Sequence, residues 1–343
     1  MTTGHALALV RHDLHARSRA WLALHPDERR RRAVRACAEK DAEELWALVE
    51  SYLALHAQSG ILISRHTLLS YRTGVRQLAA HMEHRAWNVL APGREDAQAW
   101  VGELIASGRA ISTVQSRVAA GATLYRALRW AGATGAAPFE DVRFPRDRRH
   151  PLEKNAPYGE RLIERVLTRA RDACGDASTP GARARRLEVW ALLLVLTHTG
   201  LRIDEVLSLR WPDVDAGEDD PQLVVQSGKG RKSRAVPISP RLADALHAYR
   251  GAARTKRHRE DFIFPYRTWQ GAAYHVRPLF ARQGGGNDFR GFHAFRKFMG
   301  SRLYEALGDF VAVAEVLGHA NVNTTRGYVR VGVGRARQAI REW

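Results

Sequence analysis

A stretch near the middle of this chain limits its fold more than any other. From Phe144 to Pro157, Pro145, Pro151 and Pro157 are separated by Arg146, Arg148, Arg149 and Lys154. Proline lacks a backbone N–H and disfavours helix in the residue before it, so no helix passes through, and no apolar periodicity crosses it. A chain of 343 residues divided in this way is expected to form two units, each with an ample core. The expected layout is a basic N-terminal extension at 1–40, a helical unit at 41–143, the connector at 144–157 and a second unit at 158–343.

The first unit reads as helices throughout. Asp41 can cap a helix with Glu43 and Glu44 in its first turn; Leu45, Leu48, Val49, Tyr52 and Leu53 form its apolar face, and Gly60 ends it. Ser64 can cap the next, with Tyr71, Val75, Leu78, Ala79 and Met82 inward and Arg65, Arg72 and Arg76 on the other side. Pro92-Gly93 breaks the chain before a third helix over Ala97 to Ala106. A fourth runs from near Ser112 through Leu128 and Trp130, with Arg117, Arg126 and Arg129 outside. Four or five helices with a basic exterior are expected. Ahead of them, Arg29 to Arg32 and Arg35 suit a helix with a basic face, a mobile arm along phosphates, or a simply solvated charge run.

In the second unit, helical residues Arg161 to Arg171 and a loop from Gly175 to Gly181 precede the apolar run Val189 to Leu196, which reads as a buried helix ending at Thr197. That run is too short to span a bilayer. Thr199-Gly200 then punctuates the chain, and a new helix begins with Arg202 in its first turn and Glu205 three residues on, able to hold the guanidinium. Leu223 to Val225 and Ala235 to Ile238 are short strands joined by a Gly-rich hairpin, Ser227 to Arg234, bearing Lys229, Arg231, Lys232 and Arg234. It lacks the ending of a P-loop, so nucleotide binding is not expected. Helical residues Arg241 to Ala252 and a mixed segment around Phe262 to Pro265 follow.

Near the C-terminus, His293 and Arg296 lie three apart on one helix face. Leu317-Gly318 stops a helix before His319, and Tyr328 follows nine residues later. Two imidazoles, a guanidinium and a phenol without an acidic cluster suit phosphate better than a metal ion. No cofactor is expected. Ala336, Ala339, Ile340 and Trp343 form a narrow apolar stripe, expected to pack on this molecule or a neighbour.

Charge points the same way. Lys and Arg outnumber Asp and Glu 54 to 36, a formal +18, which is the footprint of a polyanion partner, with nucleic acid the first expectation. A basic connector between two basic units suits a clamp around a duplex. The two cysteines, Cys37 and Cys174, have no pairing spacing, and Arg11, His12, Asp13 and His15 interrupt any leader-like start, so a reducing cytoplasm at the nucleoid is the expected location.

Five blocks in register resemble the tyrosine recombinase (phage integrase) family, in its Xer-like form. They are Thr199-Gly200-Leu201-Arg202-Ile203-Asp204-Glu205, Gly228-Lys229-Gly230, His293-Ala294-Phe295-Arg296, Leu317-Gly318-His319, and Thr324-Thr325 ahead of Tyr328. The resemblance covers about residues 41–343. It departs at Phe295, where Leu is usual, at Lys297, where His is common, and at Ala156 to Glu160, which replaces the usual Leu-Thr opening.

The resemblance implies a mainly α fold with a small antiparallel β-sheet in the second domain, arranged as a two-domain C-shaped DNA clamp. It implies strand exchange through a covalent 3′-phosphotyrosine, without metal or ATP, on double-stranded DNA. Tyr328 would be the nucleophile. Arg202, Arg296 and His319 would bind the scissile phosphate, His293 would take the phenol proton and Lys229 would protonate the leaving 5′-oxygen. Glu205 would support Arg202, while Arg65, Arg72, Arg76, Arg117, Arg231, Lys232 and Arg234 are candidate DNA contacts. Four protomers, alike or paired with a paralogue, are expected in the synapse with the tail docking on a neighbour, and an accessory activator is compatible with this scheme. Dimer resolution, mobile-element integration, a type IB topoisomerase and a DNA-binding protein without catalysis are the functions in play.

Overall fold

The computed structural model describes residues 18–57, 63–93, 95–145, 156–215, 220–226, 233–253, 261–319 and 321–326, apart from the Arg65 side chain. The chain divides into two compact units, Met1–Arg148 and Arg149–Trp343.

The first unit is helical: α1 (Pro26–Glu39), α2 (Ala42–His56), α3 (Arg65–His84), α4 (Asp96–Ala106) and α5 (Ile111–Trp130). Local chemistry sets their starts. Asp41 Oδ1 accepts from the backbone N–H groups of Glu43 at 2.9 Å and Glu44 at 3.1 Å, and Ser64 Oγ accepts from Thr67 N–H at 3.1 Å. The residues expected inward fill the core, with Leu45, Leu48, Val75, Leu78, Met82 and Leu124 fully buried. The helix α2 ends at His56, ahead of Gly60, which lies outside the described residues. Of the readings open for the N-terminal segment, the helix holds over Pro26–Glu39, and its inner face joins this core through Ala33, Ala36 and Cys37, beside Trp21. Two of its arginines are engaged as well: Arg29 lies over the Trp130 ring, and Arg32 pairs with Glu44.

In the second unit α6 (Glu160–Gly175) packs on α7 (Pro180–Thr199), followed by α8 (Ile203–Ser208). Thr179 Oγ1 caps α7 through Ala182 N–H, Pro180 occupies its first turn, and Ala191 to Leu196 are all fully buried. Burying both faces of that run places α7 at the centre of the unit. A three-stranded antiparallel sheet follows in the order β1 (Val214–Asp215), β2 (Gln222–Gln226), β3 (Ser233–Pro237), with Val224 opposite Ala235. Leu223, Val225 and Val236 put its apolar face into the core. The chain continues through α9 (Pro240–Ala253), α10 (Trp269–Val276), a 3₁₀ turn at Arg277–Phe280, α11 (His293–Leu307), α12 (Phe310–Leu317) and α13 (Val322–Arg326). Strand β1 and helix α10 were not expected from sequence. No described helix is long and apolar enough to cross a membrane.

Candidate active site

The C-terminal ends of α7 and α12 meet the start of α11, and one residue joins them. Arg296 is fully buried on α11. Its Nη1 donates to the Gly200 carbonyl at 2.9 Å and its Nη2 to the Leu317 carbonyl at 2.6 Å. Carbonyl dipoles fix a guanidinium in place without cancelling its charge, so the positive field survives for an anion.

Arg202 caps α8 rather than lying inside its first turn. Its backbone N–H donates to Glu205 Oε2 at 2.9 Å and its Nη1 to Oε1 at 3.1 Å. The same carboxylate takes a second, bidentate guanidinium: Arg234 Nη1 donates to Oε1 at 3.2 Å and Nη2 to Oε2 at 3.0 Å. The side chains of Glu205 and Arg234 are 15% and 17% exposed, whereas that of Arg202 is 45% exposed. Glu205 and Arg234 thus form the inner pair, and Arg202 presents its charge outward. Burial alone would raise the Glu205 pKa. The hydrogen bonds from Arg234 and from the Arg202 backbone, and both positive charges, outweigh it and hold the carboxyl below its usual range.

His293 opens α11, and His319 follows Gly318 at the end of α12. His319 Nδ1 lies 2.8 Å from Thr325 Oγ1 on α13. In the tautomer in which Nδ1 accepts from the Thr325 hydroxyl, the ring proton is on Nε2, which is then a donor. Both imidazoles are pushed down to about 4. For His293 the causes are partial burial of the ring and then Lys297, Arg296 and Arg202; for His319 they are burial, Arg296, Arg202, His293 and Arg234. His293 keeps broad solvent contact, and that water screens the charges of its neighbours. Both rings are neutral at pH 7. Arg202, Arg296, His293 and His319 therefore lie close enough to act on one another, in one region of positive potential.

Gly318 is required there. Its φ is +67°, and a Cβ would stand 2.7 Å from Arg234 Cζ, so the Arg234 guanidinium lies flat against this backbone next to His319. Sequence reasoning put Arg234 among the DNA contacts; the structure brings it to Glu205. It had missed Lys297 as a participant: the residue is 3% exposed on α11, and burial lowers its pKa. It had also assigned no role to Thr325. A signal for Lys297 was present, since it lies one turn after His293 on the same helix face.

The remaining expected residues belong to the first unit or fall outside the described residues. Lys229, Tyr328, Arg231, Lys232 and the stripe ending at Trp343 fall outside the described residues, as does the Arg65 side chain. In the first unit Arg72 and Arg76 both hold Glu43, with Arg72 Nη2 at 2.6 Å from Oε2. Arg117, expected outside, is half-buried: its Nε donates to Gln77 Oε1 at 2.6 Å and its Nη1 to the Ser70 carbonyl at 3.2 Å, tying α5 to α3. Among the described residues no group of three or more His, Cys, Asp or Glu could hold a metal ion.

Comparison with known proteins agrees with this layout. Residues 161–334 match the phage integrase family and residues 51–132 the phage integrase N-terminal SAM-like domain. Tyrosine recombinase XerC of Xylella fastidiosa (strain M23) is 30% identical over 293 residues, spanning 83% of this chain and 92% of that protein. Tyrosine recombinase XerD of Brucella suis biovar 1 (strain 1330) is 26% identical over 303 residues, 86% of this chain and 96% of that one. Among solved structures, XerH recombinase bound to palindromic difH substrate superposes with a TM-score of 0.65 at 17% identity, over 98% of this chain and 94% of that one. A lambda integrase dimer bound to a COC′ core site gives 0.57 at 16% identity, over 82% and 76%. At those identities the structures establish the shared fold, mainly α with a small antiparallel sheet. With the family match spanning half the chain and a 30% identical relative covered almost end to end, the chain belongs to the phage integrase family of tyrosine recombinases.

Proposed function

We propose that this protein is a site-specific recombinase that cuts and rejoins double-stranded DNA through a 3′-phosphotyrosine, with Tyr328 as nucleophile. The observation that carries the reading is the convergence of Arg296, held by the Gly200 and Leu317 carbonyls, and Arg202, held by Glu205, with the imidazoles of His293 and His319, whose pKa values these cations help push down. A phosphodiester gains negative charge on its way to the phosphorane, so donors fixed before the reaction favour the transition state over the ground state. Arg296, oriented by two carbonyls, and Arg202, oriented by Glu205, suit the non-bridging oxygens. His319, with its proton on Nε2, adds a third donor.

The Tyr328 phenol, with a pKa of about 10 in water, must lose its proton to attack. A neutral His293 can accept it. The phenolate oxygen bonds to phosphorus, the bond to the 5′-oxygen breaks, and Lys229 supplies the proton to that oxygen. Attack by a 5′-hydroxyl reverses each step and releases the tyrosine, so the diester energy is retained. A tetramer of like or paralogous protomers follows from joining two duplexes on both strands, with the C-terminal stripe packing on a neighbour. The XerC and XerD relatives support chromosome or plasmid dimer resolution in the cytoplasm over integration of a mobile element.

The test is a denaturant-resistant protein–DNA adduct on nicked half-site duplexes drawn from the replication terminus and from the flanks of the gene. The adduct is expected with wild type and absent with Tyr328→Phe, whose DNA affinity stays near wild type. An adduct of wild-type yield on the Phe variant would remove Tyr328 from the role.

A further inference from the structure

The segment that departs from the family's usual opening, Ala156 to Glu160, reaches the start of α11 through Tyr158. Tyr158 is 2% exposed, and its hydroxyl is engaged twice. It accepts from the Arg290 backbone N–H at 2.8 Å and donates to the Gly291 carbonyl at 3.1 Å. Arg290 Nη1 returns a weaker contact to the Pro157 carbonyl at 3.4 Å. Burial raises the Tyr158 pKa, so the hydroxyl keeps the proton it donates. The ring is held at centroid distances of 5.0 Å from Phe280 and 4.7 Å from Phe295, and Phe295 lies in the first turn of α11.

The clamped turn ends where α11 begins. Gly291 has φ +86°, and two residues later His293 is the first residue of the helix. A backbone at positive φ with no side chain is free to swing, and here its carbonyl and the preceding N–H are both held by one buried phenol. The Tyr158 hydroxyl touches neither the phosphate site nor the pocket cations; it acts two residues upstream of the imidazole.

We propose that Tyr158 is a positioning residue for His293: its hydroxyl locks the Arg290–Gly291 turn to the residues leaving the proline-rich connector and so fixes where the imidazole stands. The catalytic half of this inference rests on the recombinase reading of His293; the structural half stands without it. The connector and the proton-accepting group are then mechanically joined.

Two measurements on full-length protein test it. The first uses no DNA: histidine NMR titration of wild type and Tyr158→Phe, which keeps the ring and its packing, with resonances assigned through His293→Gln and His319→Gln. The groups facing His293 are Lys297, Arg296, Arg202 and His319. The His293 midpoint is expected to move toward the ordinary imidazole value while that of His319 stays. Arg290→Ala, which removes the contact to Pro157 and the charge beside Tyr158 and Asp288 but keeps the backbone N–H on the Tyr158 hydroxyl, is expected to move it less in the same direction. An unchanged His293 resonance and midpoint in Tyr158→Phe overturns the proposal, whatever the activity. The second is single-turnover cleavage of the nicked half-site, expected to slow about 10- to 100-fold with half-site affinity held within about twofold. Equal loss of binding and cleavage indicates a merely structural tyrosine and overturns it. If wild type forms no adduct on any DNA, the recombinase reading fails, and the titration still decides the link between Tyr158 and His293.

Discussion

Glu205 shows how much of this site depends on side chains that need not touch a substrate. Four hydrogen bonds end on its carboxylate, two from Arg202 and two from Arg234. Removing Arg234 leaves a half-buried carboxylate with one exposed partner, and burial then pushes its pKa up. Arg234→Ala should therefore lower stability by about 2 kcal/mol, the scale of hydrogen bonds to a charged group left unmade. It should also cut cleavage more than half-site binding, because Arg202 loses its fixed orientation. Denaturant titration beside single-turnover kinetics checks both; an Arg234→Ala protein with wild-type stability and rate would reduce the pair to decoration. The imidazoles give a prediction in pH. Folding depresses the His319 pKa from an ordinary value of about 6.5 to about 4, so the unfolded chain binds the proton more tightly between those values. Stability should be level above about pH 6.5 and fall as pH drops toward about 4. His319→Gln should shrink the difference in unfolding free energy between about pH 7 and about pH 5. An identical difference in variant and wild type would show that His319 titrates alike in both states.

At the scale of elements, helix ends set the site geometry. Gly318 ends α12 at positive φ, and the Arg234 guanidinium rests against its Cα. Gly318→Ala would carry a left-handed penalty of about 1–2 kcal/mol and push Arg234 off Glu205, so its kinetic defect should resemble that of Arg234→Ala. Combining the two changes should cost less in cleavage than the product of the single effects, since both break one contact; strict multiplicativity would refute the shared cause. Caps and glycine stops were also the most legible features in the sequence. Asp41, Ser64, Gly200 and Gly318 mark helix boundaries through chemistry contained within a few residues. Strand β1 escaped because two residues carry no periodicity, and α10 escaped because Trp269 and Tyr274 face solvent at 45% and 77% exposure, which spoils its apolar face. Arg117 was read as outward because charge usually is; its stem and fork instead bridge two helices. Arg202, His293, Arg296 and His319 were read from motifs, and the structure brings them close enough to act on one another. The Tyr158 clamp was not legible in the sequence, because its partners Arg290 and Gly291 lie more than a hundred residues away, and no local pattern encodes such a contact.

Over the whole molecule, two cores on either side of the connector imply two separable parts. The first has its own buried set, from Trp21 through Leu45, Val75 and Met82 to Leu124 and Phe139, and every helix in it contributes. Residues 1–148 expressed alone should therefore give a helical circular dichroism spectrum and a single cooperative melt; a gradual, non-cooperative loss of signal would mean that this core depends on the rest of the chain. Such a fragment lacks Arg202, Arg296 and both site imidazoles, so it should form no covalent adduct while still binding duplex DNA. Several of its arginines are already committed inside the unit, Arg72 and Arg76 to Glu43, Arg32 to Glu44 and Arg117 to Gln77. The 54 Lys and Arg side chains of the full chain are thus not all available to phosphates. Each phosphate engaged contributes about −0.9 to the slope of log affinity against log salt. The full chain should therefore show the steeper slope, and the fragment a shallower one set by its uncommitted cations. Anisotropy titrations across a salt series measure both. Equal slopes would assign the electrostatic grip to the first unit alone and leave the second without a share in the hold on the backbone.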